Sequence, residues 1–292
     1  MNTSPTSRSI FVSGGTSGLG LHCVENFLAK GFNVAFCART TLDVEATLSR
    51  LRSQSHVQSK LVGFTADVRD LKTLDLIREN LEHDGFNVDV LICNAGVIGP
   101  IEKFNQQSYL EWRSAFEVNM FGTSNLILTF LPSMLARRWG RVLHLSGGGA
   151  TAPVEGMSSY AASKAASVRF IETLAKEYLN TGVTFNSISP GFMKTRLLSQ
   201  MIEAGSNRIG ESLYRKSLQR FEGNFDFYQK PFNLIEFLIE NQAERITGKL
   251  ISAEWDDWKS WANHIDVLSN SDLYTLRRII GRDRGVDWGD FA

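Results

Sequence analysis

The chain has 292 residues, is 43% hydrophobic, and balances 31 basic against 31 acidic side chains. It is long enough for a substantial core in one large or two small domains. Its zero formal charge argues against a general nucleic-acid or membrane-surface role, which needs a basic excess.

Residues 1–8 (MNTSPTSR) are polar, read as a flexible N-terminus and lack the apolar core of a leader. From residue 9, short β-rich runs alternate with amphipathic stretches. SIFVS (9–13) leads into a glycine turn and a helix over 18–30, then NVAFCA (33–38), a helix over 42–54 and KLVGFT (60–65). A helix over 71–83, VDVLIC (88–93), a long helix over 105–137, RVLHLS (141–146) and a helix over 157–180 follow. VTFNSIS (183–189), a helix over 231–241 and KLIS (249–252) complete the pattern. Nearly continuous apolar runs are the mark of parallel strands buried on both faces, and repeated strand–helix units predict a doubly wound α/β sheet of about seven strands. No Gly/Ser/Pro linker interrupts it, so 9–252 reads as one Rossmann-like domain, with 194–228 a helical insertion and 253–292 a tryptophan-rich extension. Apolar runs such as LILTFL (126–131) are too short to span a bilayer. Cys23, Cys37 and Cys93 lack metal-ligand spacing, and Cys37 and Cys93 end strand-like runs as small buried hydrophobes. The expectation is a soluble, cytoplasmic protein with no metal.

Two motifs carry chemistry. SGGTSGLG places Gly14, Gly18 and Gly20 between the first strand and the first helix. Glycines there let the backbone turn tightly and approach a pyrophosphate at a helix N-terminus, although the spacing is not Gly-x-Gly-x-x-Gly. In SSYAASK (158–164), Tyr160 and Lys164 stand one helical turn apart among small residues. Such a pair is either a proton donor with a neighbouring cation or an incidental surface pair.

Together these motifs resemble the short-chain dehydrogenase/reductase family, in its short single-domain branch, over roughly residues 9–252. Further matches are Asp67-Val68 after the third strand, Asn94-Ala95-Gly96 after the fourth, Asn119 in the long helix, Ser146 after the fifth, and Pro190-Gly191 with Thr195 after the sixth. The resemblance implies an oxidoreductase interconverting a secondary alcohol and a ketone on a small-molecule substrate. It implies cofactor contacts at Gly14, Thr16, Ser17, Gly18, Leu19, Gly20, Asp67, Val68, Asn94, Ala95, Gly96, Tyr160, Lys164, Pro190, Gly191 and Thr195. It also implies catalytic roles for Asn119 as a proton relay, Ser146 on the substrate oxygen, Tyr160 as general acid/base, and Lys164. A free phenol has a pKa near ~10, and a cation about 4 Å away at an effective dielectric near 20 contributes on the order of 4 kcal/mol, enough to bring Tyr160 toward neutral pH. The long helices would pair in a homodimer or homotetramer, unless the sheet alone satisfies their apolar faces.

The second strand ends CARTT, with Ala38 where an NAD site commonly carries an acid, and with Arg39 and Thr40 next. A guanidinium suits a 2′-phosphate, so NADP is expected over NAD. Gly147 and the tryptophan-rich tail depart from the family's usual pattern, and the substrate-covering region carries a basic excess. Gly147 stands where a second serine is common, so Ser146, Thr151 and Ser158 compete for the substrate oxygen. Residues 194–220 carry six bases against Glu203 and Glu211, which reads as an anion site or a solvated helical face. Trp255, Trp258 and Trp261 recur every three residues, with Trp288 beyond them; packing onto the domain and roofing the active site over a sugar or other ring both fit. A cofactor-binding sensor without turnover is the reading from another class.

Overall fold

A computed structural model describes residues 8–54, 59–240 and 243–286. Residues 1–7 of the expected flexible terminus, and Trp288, lie outside the described residues, as does residue 241 at the expected end of one helix.

Seven parallel strands form one sheet in the order β3-β2-β1-β4-β5-β6-β7. They are β1 (Ser9–Ser13), β2 (Asn33–Ala38), β3 (Leu61–Thr65), β4 (Val90–Cys93), β5 (Gly140–Leu145), β6 (Val183–Ser189) and β7 (Lys249–Ser252). The helices are α1 (Gly18–Ala29), α2 (Thr41–Gln54), α3 (Leu71–His83), α4 (Tyr109–Phe116), α5 (Gly122–Ala136), α6 (Ser158–Glu177), α7 (Arg196–Ala204), α8 (Ser206–Ile209), α9 (Glu211–Glu222), α10 (Gln229–Ile239) and α11 (Ile265–Ser269). This is the Rossmann-like architecture expected from the alternating pattern.

Strand side chains alternate between two cores because successive residues point to opposite faces. Ile10, Val12, Val34, Phe36, Val90 and Ile92 join α1 and α10 on one face. Phe11, Ala35, Cys37, Leu91 and Cys93 join α3, α5 and α6 on the other. Both faces are covered, which is why the strands read as unbroken apolar runs. The three cysteines are buried and free, and burial pushes their thiols up, Cys37 to about 12. Strand order reverses direction at β1, which pairs with β2 on one side at Ile10↔Val34 and with β4 on the other at Ile10↔Val90. A crevice opens at the carboxyl ends of the strands at such a point.

The expected helix over 105–137 is broken. A short 3₁₀ turn (Phe104–Gln106) precedes α4, and a π-turn (Glu117–Phe121) separates α4 from α5. At the π-turn the Asn119 carbonyl accepts from two side chains: Thr123 Oγ1 donates to it at 2.8 Å and Ser167 Oγ at 3.2 Å. The sheet satisfies only part of the long helix's apolar surface. Leu126, Ile127 and Phe130 are buried, whereas Tyr109, Leu110, Phe121 and Leu128 are exposed. No described helix is long and apolar enough to cross a membrane, and no group of three or more metal-ligating side chains occurs among the described residues.

Beyond β7, the tryptophan stripe divides. Trp258 and Trp261 lie in a 3₁₀ helix (Trp258–His264) and are buried in the first core. Trp255 lies before that helix and is exposed.

Candidate active site

Two cavities meet at Tyr160. The first, of 640 Å³, runs across the carboxyl ends of β1, β2 and β4. Its wall includes Gly14, Thr16, Ser17, Gly18, Leu19, Arg39, Thr40, Asp67, Val68, Asn94, Ala95, Gly96, Ser146, Tyr160, Lys164 and Thr195. The second, of 1310 Å³, shares Ser146, Tyr160 and Thr195 and extends past Pro190 and Gly191 under α7–α9. Eighteen of the twenty expected cofactor and catalytic positions thus line one or other cavity; Gly20 and Asn119 stand behind the wall.

The glycine turn is shaped for close approach. Gly14 and Gly18 adopt φ of 69° and 54°, where a side chain is strained. A β-carbon on Gly20 would stand 2.2 Å from the Gly14 carbonyl oxygen. Ser17, at the N-cap of α1, makes no side-chain capping bond, and the first turn carries no acid. Its N–H donors therefore face the cleft with the positive end of the helix dipole, a cradle that fits a dinucleotide pyrophosphate. Asn94 is spent on holding this turn: its Nδ2 donates to the Ser13 and Gly14 carbonyls at 3.0 and 3.1 Å. Ser13, which the sequence did not single out, accepts at Oγ from the backbone N–H groups of Asn94 and Ala95.

At the adenosine end the cleft has no acid after β2. Arg39 and Thr40 are exposed there, and the Arg39 guanidinium has no ion pair among the described residues. Asp67 is engaged by Arg69 at 2.7 Å, and that hydrogen bond holds its carboxyl below the usual range. Arg69 was also not singled out by the sequence.

At the cavity junction, Tyr160 is partly buried and its hydroxyl lodges against Gly147: a β-carbon on Gly147 would stand 2.2 Å from it. A serine cannot occupy position 147 with the phenol in this place, which gives the missing second serine a physical reason. Of the three candidate hydroxyls, Ser158 accepts from Trp112 Nε1 at 3.0 Å, and exposed Thr151 donates to the Gly148 carbonyl. Ser146 alone of the three is buried with an Oγ lacking a hydrogen-bond partner among the described residues.

Lys164 is buried and donates to the Leu145 carbonyl at 2.7 Å. Burial lowers its ammonium to about 8, and burial pushes the Tyr160 phenol up to about 12. The expectation that Lys164 depresses the phenol is therefore not met. The lysine's charge is itself weakened by desolvation and turned onto a backbone oxygen. Asn119 differs from expectation too. Its side chain is fully buried and closed on protein groups, accepting from Val97 N–H at 2.8 Å and donating to the Val97 carbonyl and to Ser163 Oγ at 2.9 Å. Ser163 in turn donates to the Tyr160 carbonyl. Asn119 thus ties the loop after β4 to the helix that carries Tyr160. Gly96 lets them approach, since its β-carbon would lie 3.3 Å from Asn119 Oδ1 and 3.5 Å from Lys164 Nζ.

Half of the six bases over 194–220 are ion-paired. Arg208 pairs with Glu102, Arg215 with Glu211 and Arg220 with Glu254, while Lys194 lies over the Phe221 ring. This favours the solvated-face reading over an anion site.

A family model described as short chain dehydrogenase matches residues 8–205. The chain belongs to that family and is an NAD(P)-dependent oxidoreductase. It is 27% identical over 248 residues to the 3-oxoacyl-(acyl-carrier-protein) reductase FabG of Staphylococcus aureus, covering 84% of this chain and 95% of that protein. It is 28% identical over 243 residues to the 2,3-dihydro-2,3-dihydroxybenzoate dehydrogenase of Bacillus subtilis, covering 81% and 90%. The crystal structure of a variant actinorhodin polyketide ketoreductase with NADPH matches with TM-score 0.76 at 26% identity, covering 86% of this chain and 97% of that one. An NAD+-bound xylitol dehydrogenase shares the fold, with TM-score 0.76 at 17% identity, covering 85% and 98%.

Proposed function

We propose that the chain reduces a ketone to a secondary alcohol, reversibly, with NADP(H) as cofactor. The observation that carries this reading is the junction itself, where the Tyr160 phenol and the unpartnered Ser146 hydroxyl share both cavities. The bound nicotinamide supplies or takes the hydride. Gly14, Gly18 and the open N-terminus of α1 would hold its pyrophosphate, and Thr195, approaching Gly18 across the cleft, would hold the nicotinamide end.

The chain's own part is proton transfer. Ser146 Oγ donates to the substrate oxygen, using the bond it lacks within the protein. Tyr160, kept neutral by burial, gives its proton to the same oxygen as negative charge develops there. Lys164 stabilises the resulting phenolate and, with a proton that leaves near pH 8, is suited to returning one. A phenol that is protonated at neutral pH favours the reductive direction. In oxidation the same groups run in reverse.

The preference for NADP(H) is supported by Arg39 and Thr40 at the end of β2, where Ala38 replaces an acid, and by the NADPH named for a ketoreductase of similar fold and 26% identity. The test is the absorbance change of NADPH and NADH, taken separately, across a panel of ketones, keto-sugars and acyl-thioester ketones. Reduction that disappears in Tyr160→Phe supports the reading. Retained turnover in that variant removes it.

A further inference from the structure

The second cavity is larger than the roughly 300–1,000 Å³ typical of small-molecule sites, at 1310 Å³, and its far wall comes from beyond β7, outside the matched 8–205 segment. Trp255, Tyr274 and Thr275 all line it. Trp255 is 79% exposed, an apolar ring left facing a cavity mouth instead of joining Trp258 and Trp261 in the core. Its position is built. Ser252 N–H donates to Asp256 Oδ2 at 2.7 Å, Ser252 Oγ accepts from Trp255 N–H at 3.2 Å, and Asp256 N–H donates to the Ser252 carbonyl at 3.3 Å.

Tyr274 is held with equal care. Its φ of 58° is unfavourable for a residue with a β-carbon, yet its carbonyl accepts from Leu250 N–H and its ring lies 4.3 Å from that of Trp261. Buried Lys249 donates to the Ser271 and Leu273 carbonyls at 3.0 Å, and Glu172 on α6 accepts from Leu276 N–H at 2.7 Å. These bonds fix the segment against β7 and α6, so the aromatic wall is pre-organised.

The charge of the cavity bears on what binds. Arg220 is taken by Glu254 and Glu211 by Arg215. An anionic group would therefore meet one lining cation without an ion pair among the described residues, Lys216, against Glu155 and Asp256, which likewise have none.

We propose that Trp255, with Tyr274 lining the same cavity, is a specificity-determining aromatic wall, and that the substrate is an extended ketone or secondary alcohol carrying an uncharged ring remote from the reacting carbon. This rests on the ketone-reducing function above. Flat apolar faces stack on indole without needing hydrogen-bond partners, and the cavity's size separates that contact from Tyr160.

The experiment uses methyl ketones as a ruler, comparing phenyl-terminated 2-alkanones of increasing chain length with unbranched 2-alkanones of equal carbon number. In the unaltered chain, the phenyl group at one length is expected to lower KM about tenfold, or roughly 1.4 kcal/mol. That ratio should collapse to near one in Trp255→Ala and return in Trp255→Phe. No phenyl advantage at any length, an advantage that survives Trp255→Ala, or no reduction of the series overturns the proposal. Tyr160→Phe is run alongside: reduction retained there would sink the ketone-reducing function itself, whereas reduction lost there with an unchanged phenyl ratio in Trp255→Ala would sink only the aromatic wall.

Discussion

The Tyr160 hydroxyl and Gly147 are so close that a β-carbon on the glycine would stand 2.2 Å from the phenol oxygen. Gly147 has an extended backbone, φ −174°, that any residue adopts. Its requirement for glycine is therefore the contact, not the conformation. Gly147→Ala should fold normally and displace the phenol. A misplacement of about 1 Å at a reacting group costs roughly a hundredfold in rate. We predict a drop of that size in kcat/KM for ketone reduction with an unchanged circular-dichroism melt. Wild-type activity in Gly147→Ala would show that Tyr160 is not held where it acts.

Arg39 gives a prediction about cofactor choice. Its guanidinium is exposed at the end of β2 with no ion pair among the described residues, so removing it leaves no buried charge behind. A charge-assisted hydrogen bond contributes about 1.5–3 kcal/mol. Arg39→Ala is accordingly expected to weaken NADPH binding by roughly 10- to 100-fold while NADH binding moves little. Titration of both cofactors by tryptophan fluorescence checks this, and equal losses would remove the 2′-phosphate argument.

The two shifted groups at the junction predict a pH dependence. Tyr160, pushed up to about 12, stays protonated across the accessible range. Lys164, lowered to about 8, is charged below that pH and loses its proton as pH rises through it. In the proposed reduction a charged Lys164 supports the developing phenolate, so kcat/KM should hold below pH 8 and fall above it. A stopped-flow profile from pH 6 to 10 reads this directly. A rate that instead climbed through pH 8 would assign the dependence to another group.

How much of this site the sequence carried differs from residue to residue. The inner strands were legible because they are buried on both faces, and the glycine turn because Gly14 and Gly18 need positive φ. The break at Glu117–Phe121 was not, since the π-turn is stabilised by bonds from Thr123 and Ser167 to the Asn119 carbonyl, and Ser167 lies on another helix. The tyrosine–lysine spacing placed both side chains in the cleft, yet spacing carries no information on desolvation, which set both pKa values here. The three-residue tryptophan period misleads for a related reason. Residues three apart eclipse in a 3₁₀ helix, but that helix begins at Trp258, so Trp255 leaves the stripe and faces the cavity. Tyr274 had no signal at all, because its place depends on Leu250, Lys249 and Glu172 far away in sequence.

Ser146 offers a test in which stability and activity part. Its hydroxyl is buried without a hydrogen-bond partner among the described residues. Such an unsatisfied group costs about 1–3 kcal/mol of folding free energy. Ser146→Ala removes that cost without opening a large cavity, so the melting temperature should stay level or rise. If the hydroxyl bonds the substrate oxygen as charge builds on it, the same variant loses an interaction made in the transition state. Losing one such donor costs about 10²–10³ in kcat where it serves as an oxyanion-hole group; with Tyr160 still donating here, a loss of roughly tenfold to a hundredfold is expected. Differential scanning fluorimetry and ketone-reduction kinetics on one preparation give both numbers. A stabilised, fully active Ser146→Ala would leave Tyr160 as the sole donor to the substrate oxygen.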